Sequence, residues 1–225
     1  RKINSHELEE YAKDVVGIIA GTEEYSSATL EKLPNLKVIS RLGVGLDNLD
    51  LEYIKKKKIK LFKTKTTPAL AVAELVLGLI LILERKILSQ HNSMKGKIWK
   101  KEMGSLLSGK TVGILGLGTI GKEFVRLSQG FNLKFLAYDI YTDIDFSKEY
   151  NITYTSLKNI LKSSDIITTH LNLDKSTKNI INKNNLSFMK SNSFLINASR
   201  GGIIDEEALF DALKSNKIEG AAIDV

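Results

Sequence analysis

The chain has 225 residues, 43% of them hydrophobic, a formal net charge of +7 and no cysteine. That is enough for one large or two small domains with a sizeable core, and it excludes a disulfide framework and any cysteine-based metal centre, as suits a cytoplasmic protein. The charge does not mark a nucleic-acid binder: lysine outnumbers arginine 28 to 5, and the densest cluster, Lys55 to Lys58, has no interleaved aromatics and sits in no nucleic-acid motif. The cluster reads instead as a solvated helix end in a lysine-biased sequence, and a small anionic substrate would also gain from the positive field.

Taken in chain order, residues 5–62 alternate helical and strand-like stretches. Ser5 to Lys13 reads as a helix with Ser5 as its N-cap. Val15 to Ala20, Lys37 to Ser40 and Ile59 to Phe62 read as buried strands, with a short helix from Leu49 to Lys57 before the third. Apolar rather than alternating strands, separated by helices, predict a small parallel α/β lobe.

Thr67-Pro68 predicts the start of a long helix, with Thr67 as N-cap and Pro68 in the first helical position. Residues Leu70 to Leu83 are apolar nearly all round, so the helix is expected to be covered on most faces, by the neighbouring lobe and by a second subunit. The longest apolar stretch, Ala69 to Leu83, is interrupted by Glu74 and falls short of a membrane span, and no secretory signal precedes it. Neither a membrane nor a metal is therefore expected as a partner.

A polar connection around Gly96 to Gly109 leads into strands at 112–116, 134–138, 152–154, 165–169, 193–197 and 220–224. Helices near 120–129, 156–162, 183–189 and 205–215 separate them. Six strands with crossover helices predict a doubly wound parallel Rossmann sheet in the order 3-2-1-4-5-6. Both ends are expected to be cut: nothing strand-like precedes the first helix, and Asp224-Val225 closes a strand end that should face a ligand crevice.

The first strand of the larger lobe feeds Gly116-Leu117-Gly118-Thr119-Ile120-Gly121, a G-x-G-x-x-G turn that opens a helix. Gly116 permits a tight turn, Gly118 lets backbone N–H groups reach a pyrophosphate, and Gly121 lets helix and strand pack closely. The helix start offers unpaired N–H groups and a partial positive charge. The next strand ends in Asp139, 23 residues beyond Gly116, where a carboxylate can bind both ribose hydroxyls. Asp139 would repel a 2′-phosphate, and no cation follows it before Lys148. NAD rather than NADP is the expected cofactor.

Three further stretches lie where a doubly wound fold places its active site: Ser40 to Asp50, Asn197 to Leu209, and Gly220 to Val225. Together with the glycine turn, they resemble the D-isomer-specific 2-hydroxyacid dehydrogenases, especially the 3-phosphoglycerate dehydrogenase-like members. The resemblance implies a flavodoxin-like substrate lobe, incomplete here, over residues 1–67. It implies an NAD-binding Rossmann domain over 68–225, whose helix 68–88 joins the lobes and builds a homodimer or higher oligomer. The implied activity interconverts a D-2-hydroxy acid and its 2-oxo acid, as in 3-phosphoglycerate dehydrogenase or hydroxypyruvate and glyoxylate reductases.

By the same resemblance, Arg200 is the catalytic, substrate-binding arginine, and Val44 and Gly45 are the loop whose amides hold the substrate carboxylate. Thr119, Ile120, Leu171, Ala198, Ser199 and Asp224 are implied cofactor contacts. Asn48 reads as a turn stabiliser, and His170 as a packing residue rather than the catalytic acid. The family's catalytic Glu and His match no residue present and would lie beyond Val225. Glu23 and Glu24 stand where phosphate-binding members carry cations, and Lys63-Thr64-Lys65 replaces the usual Asn-Thr-Pro. A non-catalytic dinucleotide sensor or corepressor on the same fold is the alternative reading.

Overall fold

The computed structural model describes residues 3–225, which divide into two compact units, one up to Thr67 and the other Pro68–Val225. The first unit runs α1 (Ser5–Ala12), β1 (Gly17–Ala20), α2 (Ser27–Glu31), β2 (Val38–Arg41), α3 (Leu51–Lys56) and β3 (Lys60–Lys63). Its three strands are parallel and lie in chain order, with Ile18, Ile39 and Leu61 in register across the sheet. Leu8, Leu30, Leu33, Ile39 and Ile54 pack into its core. The row Ile19, Ser40 and Phe62, pointing the other way, is exposed.

The N-cap of α1 is Asn4, not Ser5. The Asn4 side chain accepts the Glu7 N–H at 2.9 Å, and the Glu7 carboxylate accepts the Asn4 N–H at 3.1 Å. Asn followed three residues later by Glu satisfies two otherwise open donors, whereas Ser5 has no acid in that register. The short helix α2 escaped sequence analysis; Ser26 caps it by accepting the Thr29 N–H.

The second unit opens with α4 (Ala69–Glu84) and α5 (Ile87–Lys95). Pro68 occupies the N-cap of α4, and no side chain caps the helix, so the expected Thr67 cap and Pro68 first-turn position are both shifted. The expected helix 68–88 breaks at Lys86, whose φ of +52° places it in the left-handed region between α4 and α5. One face of α4 is buried through Ala73, Val76, Ile80 and Glu84. Glu84 takes its charge inside with it and is held there by Lys110 Nζ at 2.5 Å. Leu70, Leu75 and Ile82 on the same helix are exposed. The connection that follows is not simply polar, since Ile98, Trp99, Met103 and Leu106 stand out from it into solvent.

Beyond it come β4 (Thr111–Leu115), α6 (Thr119–Leu127), β5 (Lys134–Tyr138), α7 (Ile144–Glu149), β6 (Ile152–Tyr154), α8 (Leu157–Ser163), β7 (Ile166–Thr169), α9 (Lys183–Ser187), β8 (Phe194–Asn197), α10 (Glu206–Lys214) and β9 (Gly220–Ile223). All six strands are parallel and lie in the order β6-β5-β4-β7-β8-β9, the expected 3-2-1-4-5-6 arrangement. Alternate strand residues serve opposite faces. Val112, Ile114, Ile166 and Ile196 join Phe124 and Val125 of α6 and the buried stripe of α4. Leu115, Ile167 and Leu195 join Ile160, Leu161, Leu186 and Leu209 on the other side. The order in which strands are added reverses between β4 and β7, so a crevice opens at their carboxyl ends.

Candidate dinucleotide site

β4 delivers the chain to Gly116, whose φ is +94° and whose absent Cβ would sit 2.8 Å from the His170 carbonyl oxygen. A Cβ on Gly121 would lie 2.6 Å from the Gly116 carbonyl oxygen, so this residue lets α6 start tight against the turn. Gly118 is different: a Cβ there would meet nothing within 4 Å. The first two glycines named are required by protein packing, and the third borders empty space. Gly118 also forms the N-cap of α6 without any side-chain cap bond, leaving first-turn N–H groups open to an anion.

That empty space belongs to a cleft of about 920 Å³ in the second unit. Gly116, Leu117 and Gly118 form one wall, Tyr138 to Asp145 another, and His170 to Asn172 a third. Asp139 is anchored at its edge: Oδ2 accepts the Leu117 N–H at 2.7 Å and Oδ1 accepts the Tyr141 N–H at 3.0 Å. Each carboxylate oxygen keeps further acceptor capacity for a hydroxyl pair.

Sequence analysis found no cation near Asp139, but the structure supplies one from a different element. Lys122 of α6 lines the same cleft and forms an ion pair with Asp143, the N-cap of α7. Helix α7 was missed because its apolar content is slight; the signal was Asp143 three residues before Phe146, whose N–H it caps at 3.0 Å.

His170 is half-buried. Its Nε2 lies 3.1 Å from Thr168 Oγ1, its Nδ1 is enclosed with no hydrogen-bond partner among the described residues, and its ring centroid lies 6.3 Å from that of Phe124. Burial pushes its pKa down to about 4, so the imidazole is neutral at physiological pH.

Gly116, Gly118, Asp139 and Leu171 thus line one cleft, with Thr119, Ile120 and Gly121 forming the first turn of the helix at its wall. Ala198, Ser199, Arg200 and Asp224 lie instead beyond the carboxyl ends of the adjacent strands β8 and β9. A buried network sequence analysis did not assign sets that turn. Asn197 Oδ1 accepts the Thr169 and Ser199 hydroxyls at 2.8 Å each and the Ser199 N–H at 3.1 Å, while Asn197 Nδ2 donates to the Arg200 carbonyl at 3.0 Å. Arg200 Nη1 donates to the Ser199 carbonyl at 2.7 Å, and Asp224 N–H to the Asn197 carbonyl at 2.9 Å.

In the first unit, Val44 and Gly45 follow β2 and are half-buried, and their N–H groups have no hydrogen-bond partner among the described residues. Gly43, at φ +145°, donates its N–H to Thr64 Oγ1 at 2.9 Å. Thr64 of the unusual Lys63-Thr64-Lys65 stretch is therefore a brace for this loop. Asn48 is a second brace: its Nδ2 donates to the carbonyls of Gly21 and Glu23 at 3.1 and 2.6 Å, and its Oδ1 accepts from Arg41 Nε at 3.3 Å.

A six-stranded 3-2-1-4-5-6 sheet, a glycine turn at its switch point and a strand-end carboxylate braced against that turn define a dinucleotide-binding Rossmann domain. The family profile of the D-isomer specific 2-hydroxyacid dehydrogenase, NAD binding domain, matches residues 77–225, and the chain belongs to that family. It is 36% identical to a D-3-phosphoglycerate dehydrogenase of Methanocaldococcus jannaschii, over 99% of this chain and 43% of that protein. It is 37% identical to a hydroxypyruvate reductase of Thermotoga maritima, over 92% of this chain and 68% of that protein. Among solved structures, D-lactate dehydrogenase of Aquifex aeolicus, complexed with NAD and lactic acid, superposes with a TM-score of 0.89 at 32% identity. That match covers 96% of this chain and 66% of the other. The chain thus spans from under half to about two thirds of the length of these relatives. No helix among the described residues is long and apolar enough to cross a membrane.

Proposed function

We propose that the protein is an NAD-dependent dehydrogenase that interconverts a D-2-hydroxy acid and its 2-oxo acid. The observation that carries this reading is Asp139, an acceptor braced against the glycine turn at the rim of the cleft, with open N–H groups at the start of α6. Gly116, Gly118, Thr119, Ile120 and Gly121 would hold the pyrophosphate, and Asp139 the adenine ribose. Leu171, Ala198, Ser199 and Asp224 would line the nicotinamide half. Bound there, NAD supplies a hydride acceptor and donor.

The chain's own contribution is to bind and polarise the substrate. Arg200 offers a guanidinium that can grip a carboxylate with two N–H bonds or draw electron density from a keto oxygen. The free amides of Val44 and Gly45 are a second carboxylate-binding element, in the first unit. The proton of the substrate hydroxyl needs a base. His170 does not fill that role, because its Nδ1 is sealed off and its Nε2 is engaged by Thr168. The reading therefore requires the family's Glu and His pair, which matches no residue between 1 and 225. Glu23 and Glu24 disfavour a phosphorylated substrate, so glyoxylate, hydroxypyruvate and pyruvate rank ahead of 3-phosphohydroxypyruvate.

A homodimer or higher oligomer and a cytoplasmic location belong to the same proposal. The exposed Leu70, Leu75, Ile82, Leu88, Trp99 and Met103 support an interface built on α4, α5 and the connection after them. The test is NADH binding and steady-state reduction of the four 2-oxo acids by the full-length protein, with its mass measured in solution. NADH binding with turnover of at least one acid is expected; binding without any turnover would favour a sensor, and no binding would overturn the assignment.

A further inference from the structure

Among the described residues, the charged side chains lining the cleft are Asp139, Asp143, Asp145, Asp174 and one cation, Lys122. That cation is not free. Lys122 Nζ is paired with Asp143 Oδ2 and also lies 5.2 Å from the centroid of the Phe146 ring. Asp143 is fixed from three sides: Oδ1 accepts the Phe146 N–H at 3.0 Å as the cap of α7, its own N–H donates to the Tyr154 hydroxyl at 3.1 Å, and Oδ2 holds the lysine. The Lys122 hydrogen bond, helped by the Phe146 N–H, keeps the Asp143 carboxyl below its ordinary range.

We propose that Asp143 is a specificity determinant of the dinucleotide cleft: by occupying Lys122 it withholds this lining cation from a cofactor 2′-phosphate. The inference rests on the reading of this cleft as the dinucleotide site and adds a second layer to it. Asp139 repels a 2′-phosphate directly, whereas Asp143 removes the group that could compensate. Discrimination against NADP in related sites is usually relaxed by a nearby cation, and here that cation is already built in but engaged. An ammonium on a flexible stem can turn from a carboxylate to a phosphate once the carboxylate is neutralised.

The experiment measures NADH and NADPH dissociation constants of the full-length protein by cofactor fluorescence, at two salt concentrations. The variants are Asp139→Ala, Asp143→Asn, the double variant, and the double variant with Lys122→Met added. Asparagine caps a helix as well as aspartate does, so Asp143→Asn keeps α7 in place while releasing the lysine. In the Asp139→Ala background, Asp143→Asn should tighten NADPH about tenfold, as one new charge-assisted bond would, and leave NADH within about twofold. The gain should shrink at high salt and vanish when Lys122→Met is added. A double variant that binds NADPH no tighter than Asp139→Ala, or a gain that survives Lys122→Met, overturns the proposal. Failure of the unaltered protein to bind NADH is a different result and overturns the reading of the cleft itself, with this inference along with it.

Discussion

The backbone N–H of Leu117 points at Asp139, 2.7 Å from Oδ2, and so couples the glycine turn after β4 to the end of β5. The carboxylate is therefore a brace for the turn, in addition to the ribose-binding role proposed for it. Asp139→Ala should weaken NADH binding about tenfold, since a charge-assisted bond and its brace are lost together, and should narrow the gap to NADPH. Titration with both cofactors checks this; equal affinity of the unaltered protein for both would contradict it.

The glycines of the turn should separate folding from binding. Gly118→Ala adds a methyl group to empty space, so thermal stability should fall by less than about 1 kcal/mol, the cost of a poorer N-cap, while NADH binding is lost to steric exclusion. Gly121→Ala drives a methyl group against the Gly116 carbonyl and should cost about 1–3 kcal/mol before any ligand is considered. Melting curves with and without NADH distinguish the two. A Gly118→Ala protein that binds NADH normally would show that the space beside Gly118 is not where the cofactor lies.

Under the proposed function, Arg200→Ala in the full-length protein should raise KM for the 2-oxo acid and lower kcat, because the guanidinium is then the group that binds the carboxylate and meets charge growing on the carbonyl. Arg200→Lys should recover only part of this, since an ammonium cannot offer two parallel N–H bonds. NADH affinity should barely change. Steady-state kinetics and NADH titration on the same variants decide it; lost NADH binding with an intact KM would make Arg200 a cofactor or structural residue.

The doubly wound sheet was legible because its strands are runs such as Val112 to Leu115 and Phe194 to Ile196, apolar on both faces and separated by helices of ordinary length. The glycine turn and Asp139 were legible because their spacing follows from backbone geometry. Lys122 beside Asp143 was not, because 21 residues separate them and only the β4-α6-β5 crossover brings them together. The same holds for Thr169 with Asn197, which meet because β7 and β8 are neighbours in register. Helices α2, α5 and α7 were missed because they are short or weakly apolar and rest on a cap or a left-handed residue rather than on periodicity.

Acid should expose His170. With a folded pKa near 4 against an ordinary 6.5, the unfolded chain takes up a proton that the folded one refuses between those values. Its contribution is therefore complete above pH 6.5 and is lost as pH falls toward 4, by at most about 3 kcal/mol. Urea unfolding at pH 7 and pH 4.5 should show the loss, and His170→Gln should flatten that part of the profile. An unchanged slope in the variant would place the acid sensitivity elsewhere.

The buried amide of Asn197 has one further consequence, which concerns a single hydrogen atom. Its Oδ1 carries two lone pairs yet lies within reach of three donors, the hydroxyls of Thr169 and Ser199 and the Ser199 N–H. Thr169 and Ser199 also lie 3.1 Å apart, so each hydroxyl can stand in for the other. If Thr169 serves the amide, the Ser199 hydroxyl can rotate its proton outward without leaving any buried oxygen unsatisfied. The turn before Arg200 is thus tied by main-chain and amide bonds, while its Ser199 hydroxyl has a choice of partners that needs no movement of the main chain.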